Sequence, residues 1–145
     1  MITKGDEMAL YDFGNGLVEA HQHANGGGWV ADTATVADTV YVGTDAEVFG
    51  DARVSGFARV SGFARVSGSA WVSGYARVSG SARVSGFASV FGSAWVSGDA
   101  RVTGSAEVYG SARVSGDATV SGDAKVSGRA RVYGSARVSR SELVS

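Results

Sequence analysis

Gly50-Asp-Ala-Arg-Val-Ser-Gly-Phe-Ala-Arg-Val-Ser-Gly-Phe-Ala-Arg-Val-Ser67 is three copies of one six-residue unit, Gly-x-Ala-x-Val-x. The valine phase runs on in both directions. From Val30 to Val144 a valine stands at every sixth residue, twenty in succession. A unit this short, with a single apolar phase, buries its valines by stacking on copies of itself. Parity within the unit names the element. Valine, alanine and glycine share one parity, whereas arginine, serine, aspartate and the aromatic residues share the other. Period two is a strand pattern, which predicts small and branched residues inward and long ones outward. A helix turns every ~3.6 residues and cannot hold a sixfold pattern on one face. Glycine is expected to supply the corners, and alanine beside valine to keep the interior narrow.

Composition agrees. The 145 residues include 22 glycines, no proline and no cysteine, and the apolar content of 44% is mainly valine and alanine. Ordinary usage is about 7% glycine and 5% proline, so this is the composition of a repeat. The length predicts one domain. A net charge of −1 draws the chain to neither nucleic acid nor membrane. Absence of cysteine excludes disulfides and thiolate metal sites and leaves the compartment open. Met1-Ile-Thr-Lys-Gly-Asp-Glu7 lacks the basic and apolar regions of a secretory signal. No apolar run approaches the ~20 residues that span a bilayer. The expectation is a chain in the cytoplasm, or in a virion as argued below, without membrane contact.

Residues 1–28 lie outside the repeat and are predicted to cap it, and residues 29–145 form the repeat domain. Met8-Ala-Leu-Tyr-Asp-Phe-Gly-Asn-Gly-Leu-Val18 reads as a hairpin around Asn15-Gly16, a dipeptide that favours type I′ turns. Gly26-Gly-Gly28 reads as a flexible break. A stack needs such a cap because its first rung otherwise exposes unpaired backbone groups. The earliest units are degenerate, with Asp32, Asp38 and Thr44 where glycine later recurs, and from Gly50 to Gly134 that glycine is invariant. At the other end Arg140 stands for glycine and Glu142 for alanine. Both are charges that discourage strand addition at an open edge, which is itself a candidate docking surface.

Gly50-Asp-Ala-Arg-Val-Ser55 and Gly134-Ser-Ala-Arg-Val-Ser139 place a small residue four positions after each aliphatic one, as in Val54 then Ala58 and Val60 then Ala64. This pattern resembles the hexapeptide-repeat superfamily and covers about residues 30–145. The resemblance implies an all-β fold, a single-stranded left-handed triangular β-helix (β-solenoid) with three units in each coil. Twenty units then give six to seven coils, and at ~4.8 Å per coil a rod roughly 30 Å long. Glycine two residues after the aliphatic position keeps a right-handed solenoid open. The stretch from Asn25 to Val40, ahead of near-identical units, also resembles small proteins encoded by tailed phages and prophages.

Some members of the superfamily are acyltransferases and others are γ-class carbonic anhydrases. The first would need a histidine beside a coil, and the second three zinc-ligand histidines within the coils. Here the only histidines are His21 and His23, and no insertion interrupts the repeat. Serines abound without a histidine partner, and Asp51, Asp99, Asp117 and Asp123 are predicted on a convex surface with no pocket. His21-x-His23 has a metal-like spacing that would put both rings on one side of a strand. A hydrogen-bonded role in the cap is the favoured reading, and no cofactor is predicted.

Adding 18 to a residue number finds its neighbour one coil up. Arg65, Arg83 and Arg101 then form one column, and Arg59, Arg77, Trp95, Arg113 and Arg131 another. Between Ala52 and Gly98 the chain holds five arginines (Arg53, Arg59, Arg65, Arg77, Arg83) and no acid. The same stretch carries Phe57, Phe63, Trp71, Tyr75, Phe87, Phe91 and Trp95 at outward parity. Arginine with aromatics is the composition of protein interfaces and of single-strand nucleic-acid binders. The near-neutral net charge and the absence of lysine from this stretch weigh against nucleic acid. The sequence therefore predicts a non-enzymatic, phage-type solenoid that acts as a structural or protein-interaction module through this band. A homotrimer is favoured, as the superfamily often forms one, with a protein partner as the other occupant. Two further readings stand beside it: a phage-encoded inhibitor of a host defence protein or nucleic acid, and a degenerate acyltransferase-like or carbonic-anhydrase-like enzyme.

Overall fold

Each unit folds as a two-residue strand ending in valine, followed by a four-residue corner through glycine and alanine. The computed structural model of the protein describes residues 9–145. Its repeat strands run from Trp29–Ala31 to Leu143–Val144, one in each unit, and no helix occurs among the described residues. Strand pairing is parallel with a register of one coil, so that Arg77 pairs with Arg59 on one side and with Trp95 on the other. Three sheets result, of nine, seven and six strands. The first contains Glu47, Arg65, Arg83 and Arg101, the second Arg53, Trp71, Ser89 and Glu107, and the third Tyr41, Arg59, Arg77, Trp95, Arg113 and Arg131. The molecule is a three-sided β-solenoid of about six coils.

Valine and alanine fill its interior. Val60 through Val126 and Ala46 through Ala124, at their repeat positions, have no exposed surface. A two-carbon branch facing a methyl leaves a core one side chain thick, so the ladders between coils carry much of the stability. In a typical unit the Phe57 N–H donates to Gly74 O at 2.8 Å, the Arg59 N–H to Ala76 O at 3.0 Å and the Ser61 N–H to Val78 O at 2.9 Å. The repeat glycines do not join this core. They sit at the corners, half-buried or exposed, with φ between 62° and 69°. Inward alternation thus stops where the strand stops, and the positive φ turns the chain towards the next sheet. From Gly50 to Gly116 each glycine also lies directly beneath the glycine one coil later. A Cβ on Gly80 would stand 2.9 Å from both N and O of Gly98.

In the first coil, Thr33 and Thr39 replace part of this pattern by donating their hydroxyls to the carbonyls of Gly50 and Gly56. Arg140, at the last glycine position, keeps the corner conformation with φ 56°. Nearby, Glu142 bends back to accept the Ser139 N–H at 2.8 Å.

The cap continues the first sheet. Strand β1 (Leu10–Asp12) pairs antiparallel with β2 (Leu17–Gln22), and β2 pairs antiparallel with β3 (Trp29–Ala31). The hairpin loop is the four residues 13–16 rather than a two-residue turn at Asn15-Gly16. Asp12 holds it, accepting the Gly14 and Gly16 N–H groups at 2.7 and 3.0 Å. A second small core lies beneath, where Phe13, Ala20 and Ala31 are buried against Tyr11, Trp29 and Phe49. The triglycine segment is packed, not loose. Its Gly28 N–H donates to Val42 O at 2.9 Å, and a Cβ on Gly28 would stand 2.3 Å from Gly43 O. The remainder of the predicted cap, residues 1–8, lies outside the described residues.

Candidate interaction surface

Strand positions before valine point outward, and the corner positions after glycine project furthest. Two and a half coils of sequence therefore wrap the rod. The predicted band follows that path. Arg53 and Trp71 lie on the second sheet, Arg59, Arg77 and Trp95 on the third, and Arg65 and Arg83 on the first. Phe57 and Tyr75 occupy the corner between the second and third sheets, Phe63 the corner between third and first, and Phe87 the corner between first and second. Phe91 follows a second-sheet valine.

The structure gathers some of these residues into stacks. The Arg53 guanidinium lies 5.5 Å from the Trp71 ring centroid. Trp95 is held between Arg77 at 4.9 Å and Arg113 at 4.6 Å, and Arg59 lies over Tyr41 at 5.1 Å. Phe57 stacks on Tyr75 at 5.5 Å, and Phe91 on Tyr109 at 4.9 Å. Arg65 serves the cap: its Nε donates to Glu47 Oε1 at 2.8 Å, its Nη2 to Phe13 O, and it covers the Phe49 ring. Exposure remains high at Phe57, Phe63, Tyr75 and Phe87, all above half.

The electrostatics differ between sides. Among the described residues the arginine–carboxylate pair is Arg65 with Glu47, so Arg59, Arg77, Arg113 and Arg131 face no carboxylate. These four share the third sheet with Trp95. The corner shared with the second sheet holds Phe57, Tyr75, Ser93, Ser111 and Arg129, and from Phe57 upward it carries no acid, Asp38 lying below. Acids collect at the other two corners, as Asp45, Asp99 and Asp117 at one and Asp51 and Asp123 at the other. The signal for Arg113, Arg129 and Arg131 was the 18-residue column. A window drawn along the sequence cuts across it.

The two histidines diverge. His21, in β2, is exposed with Nδ1 2.7 Å from Asp32 Oδ1. His23, just past the strand end, is buried with Nε2 2.7 Å from Val40 O. The turn after Gln22 sends the second ring inward, so the rings do not share a side. Among the described residues no group of three or more metal-ligating side chains converges, and no helix is long and apolar enough to cross a membrane. An apolar cleft of about 490 Å³ opens beside the hairpin, bounded by Phe13, Val18 and Phe49. A smaller one of about 320 Å³ lies along Tyr41, Arg59, Arg77 and Trp95 on the third sheet.

Four stretches, residues 58–74, 94–110, 112–127 and 124–140, match the family model described as YdcK Beta solenoid repeat. No curated protein and no solved structure matches the chain. The matched stretches cover under half of the residues and fall wholly within the stacked coils, where the three parallel sheets repeat at one-coil register. Sequence match and architecture agree at that level: the chain is a β-solenoid repeat protein.

Proposed function

We propose that this solenoid is a non-enzymatic structural or protein-interaction module, of the kind carried by phages and prophages, and that its arginine and aromatic side chains make its contacts. One observation carries the reading. Arginines without carboxylate partners and aromatics more than half exposed sit on stacked coils whose interior is valine and alanine. Unpaired guanidinium groups held against rings are pre-ordered for a partner, because their side-chain entropy is already spent. The histidines support the same view, since His23 is engaged with a backbone carbonyl and His21 with Asp32.

The test is light scattering of the purified protein during size exclusion, with absorbance read at two wavelengths. A homo-oligomer free of nucleic acid supports a structural module, whose mass decides whether it is the trimer that the superfamily resemblance implies. A monomer directs the contacts to another protein. A peak carrying nucleic-acid absorbance overturns the reading. A place in a virion is tested separately, by mass spectrometry of purified particles, and absence from them removes that form of the proposal.

A further inference from the structure

Resting on the reading above, we infer that the contact surface is a lengthwise ridge, and that it docks an acidic polypeptide segment of a partner protein. The ridge comprises the third sheet and its corner with the second, from Tyr41 to Tyr133. Its line of side chains before valine is Tyr41, Arg59, Arg77, Trp95, Arg113 and Arg131. Beside it run the hydroxyls of Ser61, Ser79, Ser97 and Ser115. From Phe57 upward neither the strand column nor the corner shared with the second sheet contains an acid.

Arg59 and Arg77 occupy adjacent rungs, and so do Arg113 and Arg131. Neighbouring rungs are ~4.8 Å apart. Like charges at that distance repel by roughly 1 kcal/mol in water, and by more in drier surroundings. Nothing described in the chain neutralises them. An anionic partner removes that repulsion and gains N–H···O bonds, because a guanidinium without a carboxylate partner keeps its donors free for a planar, bidentate acceptor.

The same stacks select the class of anion. Trp95 has Arg77 on one face and Arg113 on the other, and Phe57 and Tyr75 cover each other. Single-strand nucleic-acid binders gain ~1–3 kcal/mol per base from open ring faces, usually within a groove. Here both faces of Trp95 are covered, Phe57 and Tyr75 each have one face covered by the other, and the ring edges are exposed. Carboxylates meet the guanidinium edges and apolar side chains meet the ring edges. Those are contacts that a peptide supplies.

The experiment measures binding of a fluorescent poly-L-glutamate peptide and of an oligothymidylate of equal charge, by anisotropy at low salt. Three proteins are compared: the intact chain, the ridge variant R59S/R77S/R113S/R131S, and the control R101S/R137S from the first sheet. Circular dichroism and melting check that each is folded. The expected result is saturable binding of polyglutamate by the intact chain. The ridge variant then loses at least tenfold in affinity, the control changes less than twofold, and oligothymidylate binds more weakly. Equal loss in both variants, or no saturable binding, overturns the ridge while leaving the scattering test of the module unaffected. Tighter ridge-dependent binding of oligothymidylate assigns the surface to nucleic acid instead. If the intact chain self-associates and the ridge variant does not, the occupant is a second copy.

Discussion

At the scale of the residue, two demands meet at each corner glycine: a left-handed backbone, and a neighbour one coil above that leaves no room for a Cβ. They can be separated. Gly80 and Gly134 share φ values of 64° and 65°, but a Cβ at Gly80 meets Gly98 backbone at 2.9 Å, whereas one at Gly134 meets nothing within 4 Å. Gly134→Ala therefore costs only the conformational term, about 1 kcal/mol once the stiffer unfolded chain is credited. Gly80→Ala forces two coils apart and costs roughly 3 kcal/mol or more. Denaturant titration of the two variants decides it, and equal losses would show that coil crowding is irrelevant. Arg140, non-glycine at φ 56°, makes the opposite case. Arg140→Gly relieves that strain and raises stability by up to about 1 kcal/mol, since glycine adopts the left-handed region freely. The glycine phase was plain in the sequence. Its corner role was expected as well, whereas the exposure of these glycines was not, because parity counting treats every residue as strand, and a positive φ ends the alternation.

At the scale of the element, the repeat strands were legible and the cap was only partly so. Valine every sixth residue specifies strand and inward face together and limits the register to a multiple of six, because any other register turns valines out of the core. The hairpin had a turn signal at Asn15-Gly16, but Asp12 captures two loop N–H groups and draws Phe13 and Gly14 into the loop. Such a side-chain bond competes with the dipeptide's own preference and leaves no mark in a local pattern. The cap is pinned where the Tyr11 hydroxyl donates to Glu47 Oε2 at 2.6 Å. That hydrogen bond, then burial, then the charge of Glu47 push the Tyr11 pKa from 10.0 up to about 12. Because the folded value is raised, this contribution to stability is complete below pH 10 and disappears as the pH climbs through about 12. Tyr11 stacks on Trp29 at 4.7 Å, so indole fluorescence reports the change. The expected outcome is an alkaline transition between about pH 10 and 12 that Tyr11→Phe abolishes. An identical transition in both proteins would place its cause elsewhere.

At the scale of the whole molecule, stability is the sum of coils and their interfaces, whereas the surface depends on how many units precede each residue. Every unit supplies the same valine and alanine to the core, so the core is indifferent to which face a unit occupies. The outer face is not. This is why the fold could be read from the period, while the ridge needed the register of 18 that pairs Arg77 with Trp95. Deleting 6 residues and deleting 18 therefore have different consequences. Removal of residues 79–96 excises one coil and returns every later side chain to its own column, one rung lower. Arg113 then stacks directly on Arg77, and the ridge keeps its four arginines. Removal of residues 85–90 leaves a continuous core but turns everything above it by one face. Trp95 then lies over Trp71 rather than Arg77, Arg101 takes the rung above Arg77, and Asp99 and Asp117 arrive on the corner shared with the second sheet, one and two rungs above Tyr75. Both deletions are expected to fold with the circular dichroism of the intact chain per residue. Polyglutamate affinity should fall less than fivefold after the 18-residue deletion and more than tenfold after the 6-residue one. Equal affinities would mean that binding follows the arginine count and not their arrangement, because both shortened chains keep most of their arginines and only one keeps acids off the corner shared with the second sheet.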